Sequence, residues 1–164
     1  MLKWLWLSGL VVVLDQITKL VADSQLVFHQ PVAVFPGFSF TLLYNEGAAF
    51  SFLSDAGGWQ RWFFMLLSLV ISLLLVYWLR SVEKHKLFLA AGIALILGGA
   101  LGNLIDRSVY GHVIDFIDVY YRQYHWPAFN LADSAITLGA TLLIVDLLLE
   151  RKSQYAIDKG RDGP

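Results

Sequence analysis

Carboxylates stand in this 164-residue chain where apolar residues are the rule. Asp133 lies in FNLADSAITLGA, within a run from Pro127 to Leu149 that is otherwise almost wholly apolar. Asp115 and Asp118 lie in HVIDFIDV, and Asp15 with Lys19 interrupts an apolar run near the start. Other chemistry is scarce. With no cysteine there is no thiolate and no Cys-based metal site. His29, His85, His112 and His125 are scattered singles without a pair at ligand spacing. Ser134 follows Asp133 directly, so on a helix the two point about 100° apart and make no nucleophile and base pair. What remains in quantity is acid. Two carboxylates held about 4 Å apart at an effective dielectric near 20 repel by roughly 4 kcal/mol, equal to about three pKa units. One partner then stays protonated at neutral pH and the pair holds a single shared proton. The ionised member draws a proton from water, the protonated one polarises a carbonyl, and the roles exchange as the amine leaves. Asp133 and one of Asp115 or Asp118 are the candidates, and spacing does not choose between those two.

The elements that must position such a pair follow from composition. The chain is 57% hydrophobic and 15% charged, with a mean hydropathy of +0.61, where a soluble domain carries roughly 25% charge. This is the composition of a membrane protein. A net charge of -1 with no block of like charge offers nucleic acid no footprint. A spanning helix needs about 20 mostly apolar residues, and the runs Trp4 to Ala22, Trp62 to Leu79, Leu87 to Ile105 and Pro127 to Leu149 qualify. The first, after Met1-Leu2-Lys3, also has the form of a secretory signal peptide. Asp15 and Lys19 favour a resident helix, in which they pair at i, i+4. The expected fold is an all-α membrane core of four transmembrane helices, the whole chain, 1–164, forming one domain.

Lys3, the connector from Arg80 to Lys86 and the tail after Glu150 hold eight of the twelve Lys and Arg. The positive-inside tendency makes both termini cytoplasmic, so connectors 23–61 and 106–126 face outward. In the first, Pro36-Gly37 is a turn signal between β-prone runs, and Phe38, Phe40 and Leu42 alternate with Ser39 and Thr41. A small sheet is expected, its apolar face resting on the membrane or covering the bundle mouth. The second is too apolar to float free and reads as a short interfacial helix or strand. Asp15 and Lys19 in the first span, Asn103, Asp106 and Arg107 in the third, and Asn130 and Asp133 in the fourth then fall at one depth, the outer face. Polar groups at membrane depth are functional hypotheses by default.

Plainer readings stand beside these. Asp133 complements a helix dipole if the helix begins near Pro127 or Ala128. Asp15 with Lys19 is a bare intrahelical pair, Arg107 snorkels to headgroups, Asn103 and Asn130 are bundle glue, and Gly98 and Gly102 serve close helix packing. Asn45-Glu46-Gly47 is a turn, a clamp on an extended peptide, or both. Asp146 lies 13 residues past Asp133, about 20 Å along a helix, and is excluded from the pair.

The blocks LDQITK, YNEGAAFSF, GGWQRWFF, GGALGNLIDR, GHVIDFIDV and FNLADSAIT, in that order from Leu14 to Thr137, resemble the bacterial signal peptidase II family, the lipoprotein signal peptidases, in its proteobacterial form. The resemblance implies an inner-membrane aspartyl endopeptidase that removes the signal peptide from diacylglyceryl-modified prolipoproteins, cutting just before the lipidated cysteine. It implies a periplasmic β-cradle with an outer helical segment, and a catalytic pair of Asp115 and Asp133, which leaves Asp118 a neighbour. Asp15, Lys19, Asn45, Gly47, Asn103, Arg107 and Asn130 match positions around the dyad and substrate. No cofactor or metal is expected; the partners are prolipoprotein substrates and membrane lipids, and a monomer suffices. The rival reading is a proton-coupled carrier using intramembrane acids, which usually shows internal repeats and midplane sites.

Overall fold

A computed structural model of the chain describes residues 1–47 and 59–161. The parts of YNEGAAFSF and GGWQRWFF that fall at 48–58 lie outside the described residues. A 3-10 turn, Leu2–Trp4, leads into α1 (Leu5–Gln25), followed by strands β1 (Val32–Phe35) and β2 (Phe38–Asn45), helices α2 (Trp59–Ser81) and α3 (Leu87–Val109), strands β3 (Val113–Tyr121) and β4 (Tyr124–His125), and α4 (Leu131–Arg161). Each helix is long and apolar enough to cross a membrane, α4 over Leu131–Arg151.

The central helix is α3, which packs against the other three. Half of its apolar window is buried in protein, against 17% for α2 and α4. Small residues permit this. A Cβ on Gly98 would lie 2.7 Å from Val11 Cβ on α1, and a Cβ on Gly92 2.8 Å from the Gly139 carbonyl on α4. Without side chains to separate them the backbones meet, as the small-residue pattern implies. At the end away from the sheet, Leu75 and Leu79 of α2 with Val82 close on Ala90, Ile93 and Leu97 of α3.

The four strands form one antiparallel sheet in chain order. The Pro36-Gly37 turn forms as expected, with Gly37 at φ 94°, a conformation that favours glycine. The second connector resolves as strand β3, so no interfacial helix lies there; its VIDFIDV segment pairs with β2 from Asn45↔Val113 to Phe38↔Val119. Expectation and structure differ over β2. Ser39 and Thr41 are buried while Phe38 and Phe40 are half-buried, because both hydroxyls donate to Asp118 Oδ2, at 3.1 and 3.0 Å. A bulge between Phe40 and Leu43 then turns Leu42 inward beside Thr41.

Helix α4 starts four residues later than the apolar run suggests. Phe129 exchanges backbone hydrogen bonds with Ile117 of β3 at 2.8 and 3.1 Å, which holds 127–130 extended. Asn130 then caps the helix: its Oδ1 accepts the Asp133 N–H at 3.0 Å, and Asp133 Oδ2 accepts the Asn130 N–H at 3.3 Å. This is a reciprocal capping box.

Candidate active site

Side-chain parity along β3 separates the two acids of HVIDFIDV. Residues three apart share a helix face but take opposite faces of a strand. Asp118 therefore turns to Ser39, Thr41 and the His125 ring, whose Nδ1 lies 2.8 Å from Oδ1. Asp115 turns the other way, toward the head of α4. Asp115 and Asp133 both line one cavity of about 710 Å³, together with Asn45, Asn103 and Arg107.

Each acid is held by amides. Asp115 accepts from Asn130 Nδ2 at 2.7 Å and from Asn45 Nδ2 at 3.0 Å, and Asp133 Oδ1 accepts from Asn103 Nδ2 at 2.8 Å. Burial pushes the Asp115 carboxyl up to about 7, and the Asp133 charge adds to the shift against the hydrogen bonds of Asn45 and Asn130. Asp133 sits in the first turn of α4, where a carboxylate complements the helix dipole, and it also lines the cavity with Asp115.

The remaining candidates fall around this pair. Lys19 and Asp15, 1% and 0% exposed, pair at 2.8 Å, but Lys19 Nζ also lies 2.8 Å from Asp106 Oδ2 and donates to Asn103 Oδ1 at 2.9 Å. The pair is thus part of a buried network across α1 and α3. Asp15 Oδ1 accepts the Ala132 N–H at 2.9 Å, tying α1 to the first turn of α4. Arg107 does not reach outward to headgroups. It is 7% exposed, donates from Nη2 to the Gly47 carbonyl at 2.8 Å and stacks over Phe64 at 5.2 Å. Its buried Nε has no acceptor among the described residues. Gly47 N–H in turn donates to Asn45 Oδ1 at 3.0 Å, closing the turn over Asn45-Glu46-Gly47. Asp106 is the residue that sequence reasoning placed in the polar layer without a role. Its signal is the three-residue step from Asn103, which puts both on one face of α3. Among the described residues no group of three or more His, Cys, Asp or Glu is arranged to hold a metal ion.

The signal peptidase (SPase) II family model matches residues 7–149. A lipoprotein signal peptidase of Acinetobacter baumannii is 57% identical over 153 residues, covering 93% of this chain and 87% of that protein. One of Pseudomonas putida is 54% identical over 155 residues, covering 93% and 91%. Among solved structures, a bacterial membrane enzyme determined by the in meso method at 2.3 Å resolution superposes with a TM-score of 0.83 at 34% identity, over 93% of this chain and 92% of that one.

Proposed function

The chain belongs to the signal peptidase II family, and from that premise we propose that it is the aspartyl endopeptidase removing signal peptides from diacylglyceryl-modified prolipoproteins, with Asp115 and Asp133 as its catalytic dyad. The observation that carries the reading is two carboxylates from different elements, each held by an asparagine amide, facing one cavity. The carrier alternative has no observation in its favour.

In the proposed reaction Asp115, raised by burial, holds the shared proton and donates it to the scissile carbonyl oxygen. Ionised Asp133 takes a proton from the attacking water, whose oxygen bonds to the carbonyl carbon. Collapse of the tetrahedral species breaks the C–N bond, the departing amine takes the proton held by Asp133, and Asp115 recovers its own. The Arg107 Nε, without an acceptor among the described residues, suits a substrate backbone carbonyl, and the turn carrying Asn45 and Gly47 suits holding the peptide extended. Two acyl chains on the cysteine stay in the bilayer. Phe129, Ile136 and Leu138 supply an apolar wall from the cavity toward lipid. On this reading the site opens at the periplasmic face of a bacterial inner membrane, and the protein acts as a monomer.

The test is cleavage of a lipidated precursor peptide by detergent-purified protein. Asp115→Asn and Asp133→Asn are each expected to lose turnover by about 10³-fold or more in folded protein. Asp118→Asn, on the far face of β3, is expected to keep it. Normal turnover in either dyad variant would remove that residue from the mechanism. The same peptide without its lipid should be cut poorly.

A further inference from the structure

Asp106 sits behind the cavity and takes part in none of the steps above. It is fully buried, and each of its oxygens is engaged. Oδ1 accepts from Gln16 Nε2 at 2.7 Å; Oδ2 lies 2.8 Å from Lys19 Nζ and accepts the Ile114 backbone N–H at 3.2 Å. Those last two contacts lead to different halves of the dyad.

The first runs through Lys19. Its ammonium reaches Asp15, Asp106 and Asn103 Oδ1 at 2.8, 2.8 and 2.9 Å, which occupies all three of its protons. An ammonium only donates, so the atom of the Asn103 amide that faces it must be the oxygen. The amide nitrogen is thereby turned to Asp133, where it donates at 2.8 Å. The second runs through the strand. Ile114 immediately precedes Asp115, so a hydrogen bond on its N–H fixes the backbone that carries the other acid.

We infer that Asp106 is a positioning residue for the reaction: one buried carboxylate aims Asp133 through Lys19 and the Asn103 amide, and Asp115 through the Ile114 N–H. This rests on the dyad reading above. Asp106 is not among the residues lining the cavity, so its removal should disturb the aim of the acids and leave substrate binding nearly intact. A misplacement of about 1 Å at a reacting group costs on the order of 10²-fold in rate.

The experiment measures kcat and KM on a lipidated precursor peptide for Asp106→Ala and Asp106→Asn, each normalised to folded protein. Asp106→Ala is expected to lower kcat about tenfold or more with KM within about twofold. Asp106→Asn keeps an acceptor for Ile114 and Lys19 but loses the charge, so its kcat should lie between Ala and wild type. If the Ala variant does not fold, the isosteric Asn variant decides. Wild-type kcat in either folded variant, or a raised KM at unchanged kcat, would overturn the inference. Asp115→Asn and Asp133→Asn run in parallel: retained turnover there condemns the dyad itself, whereas their loss beside an unaffected Asp106 variant condemns only the positioning role.

Discussion

Asp115 keeps its proton to about pH 7 because burial disfavours its charge and the Asp133 carboxylate repels it, while Asn45 and Asn130 only partly offset both. An unfolded chain ionises the same group near 3.8. Between those values the native state binds a proton that the unfolded state does not, so this group makes stability fall as pH rises through the window. The difference amounts to at most roughly 4 kcal/mol at about 1.4 kcal/mol per unit. Asp115→Asn cannot ionise. Both oxygens of Asp115 accept amide protons, so the substituted amide must present its own NH2 to one donor and should be less stable at pH 5. Toward pH 8 the wild type loses stability that the variant does not, and the gap between their Tm values should narrow or reverse. Parallel Tm curves across that range would remove the proposed shift. Wild-type turnover should likewise decline above about pH 7, where the proposed dyad would lose its shared proton, while folded Asp115→Asn should stay inactive throughout.

Single elements decide which acids meet, and here the sequence was legible only in part. The apolar runs located α2 and α3 directly, and α1 because the two charges that interrupt it, Asp15 and Lys19, pair at the i, i+4 spacing of a helix. The head of α4 was not legible, since Pro127, Ala128 and Phe129 extend the run by composition yet are held extended by the backbone bonds of Phe129 to Ile117. Which of Asp115 and Asp118 faces the cavity lined by Asp133 was not readable from spacing, and the strand parity of β3 turns Asp115 toward it. The inward turn of Ser39 and Thr41 was also hidden, because their burial is set by Asp118, 79 and 77 residues away in the chain. Close packing of α3 was readable from its glycines, and it carries a prediction. A Cβ on Gly99 would collide with the Ala132 carbonyl in the first turn of α4, one residue before Asp133, whereas one on Gly9 meets nothing within 4 Å. Gly99→Ala should therefore lower Tm and lower activity further than lost folding accounts for. Gly9→Ala should match or exceed the wild-type Tm, helix propensity contributing about 0.5–1 kcal/mol. Equal behaviour of the two variants would mean that α4 gives way without moving its acid.

Across the whole molecule, the acids and the basic connector lie at opposite ends of the bundle. Lys86, beside the start of α3, forms an ion pair with Glu150 of α4, and Glu150 lies 17 residues beyond Asp133. At about 1.5 Å per residue this places the two ends about 25 Å apart, close to the roughly 30 Å thickness of a hydrocarbon core. Arg80, Lys84 and Lys86 at one end and the sheet with its cavity at the other should therefore face different compartments, the basic end inward. The chain has no cysteine, so a single introduced thiol reports its own side. Gln123→Cys, exposed in the turn between β3 and β4, and Lys84→Cys, exposed in the connector between α2 and α3, are the informative pair. In cells with a permeabilised outer membrane and an intact inner one, a membrane-impermeant maleimide should label Gln123→Cys and should reach Lys84→Cys only after the inner membrane is broken. The reverse pattern would place the cavity of Asp115 and Asp133 on the cytoplasmic side, and the proposed orientation would fall while the proposed chemistry of the pair stood.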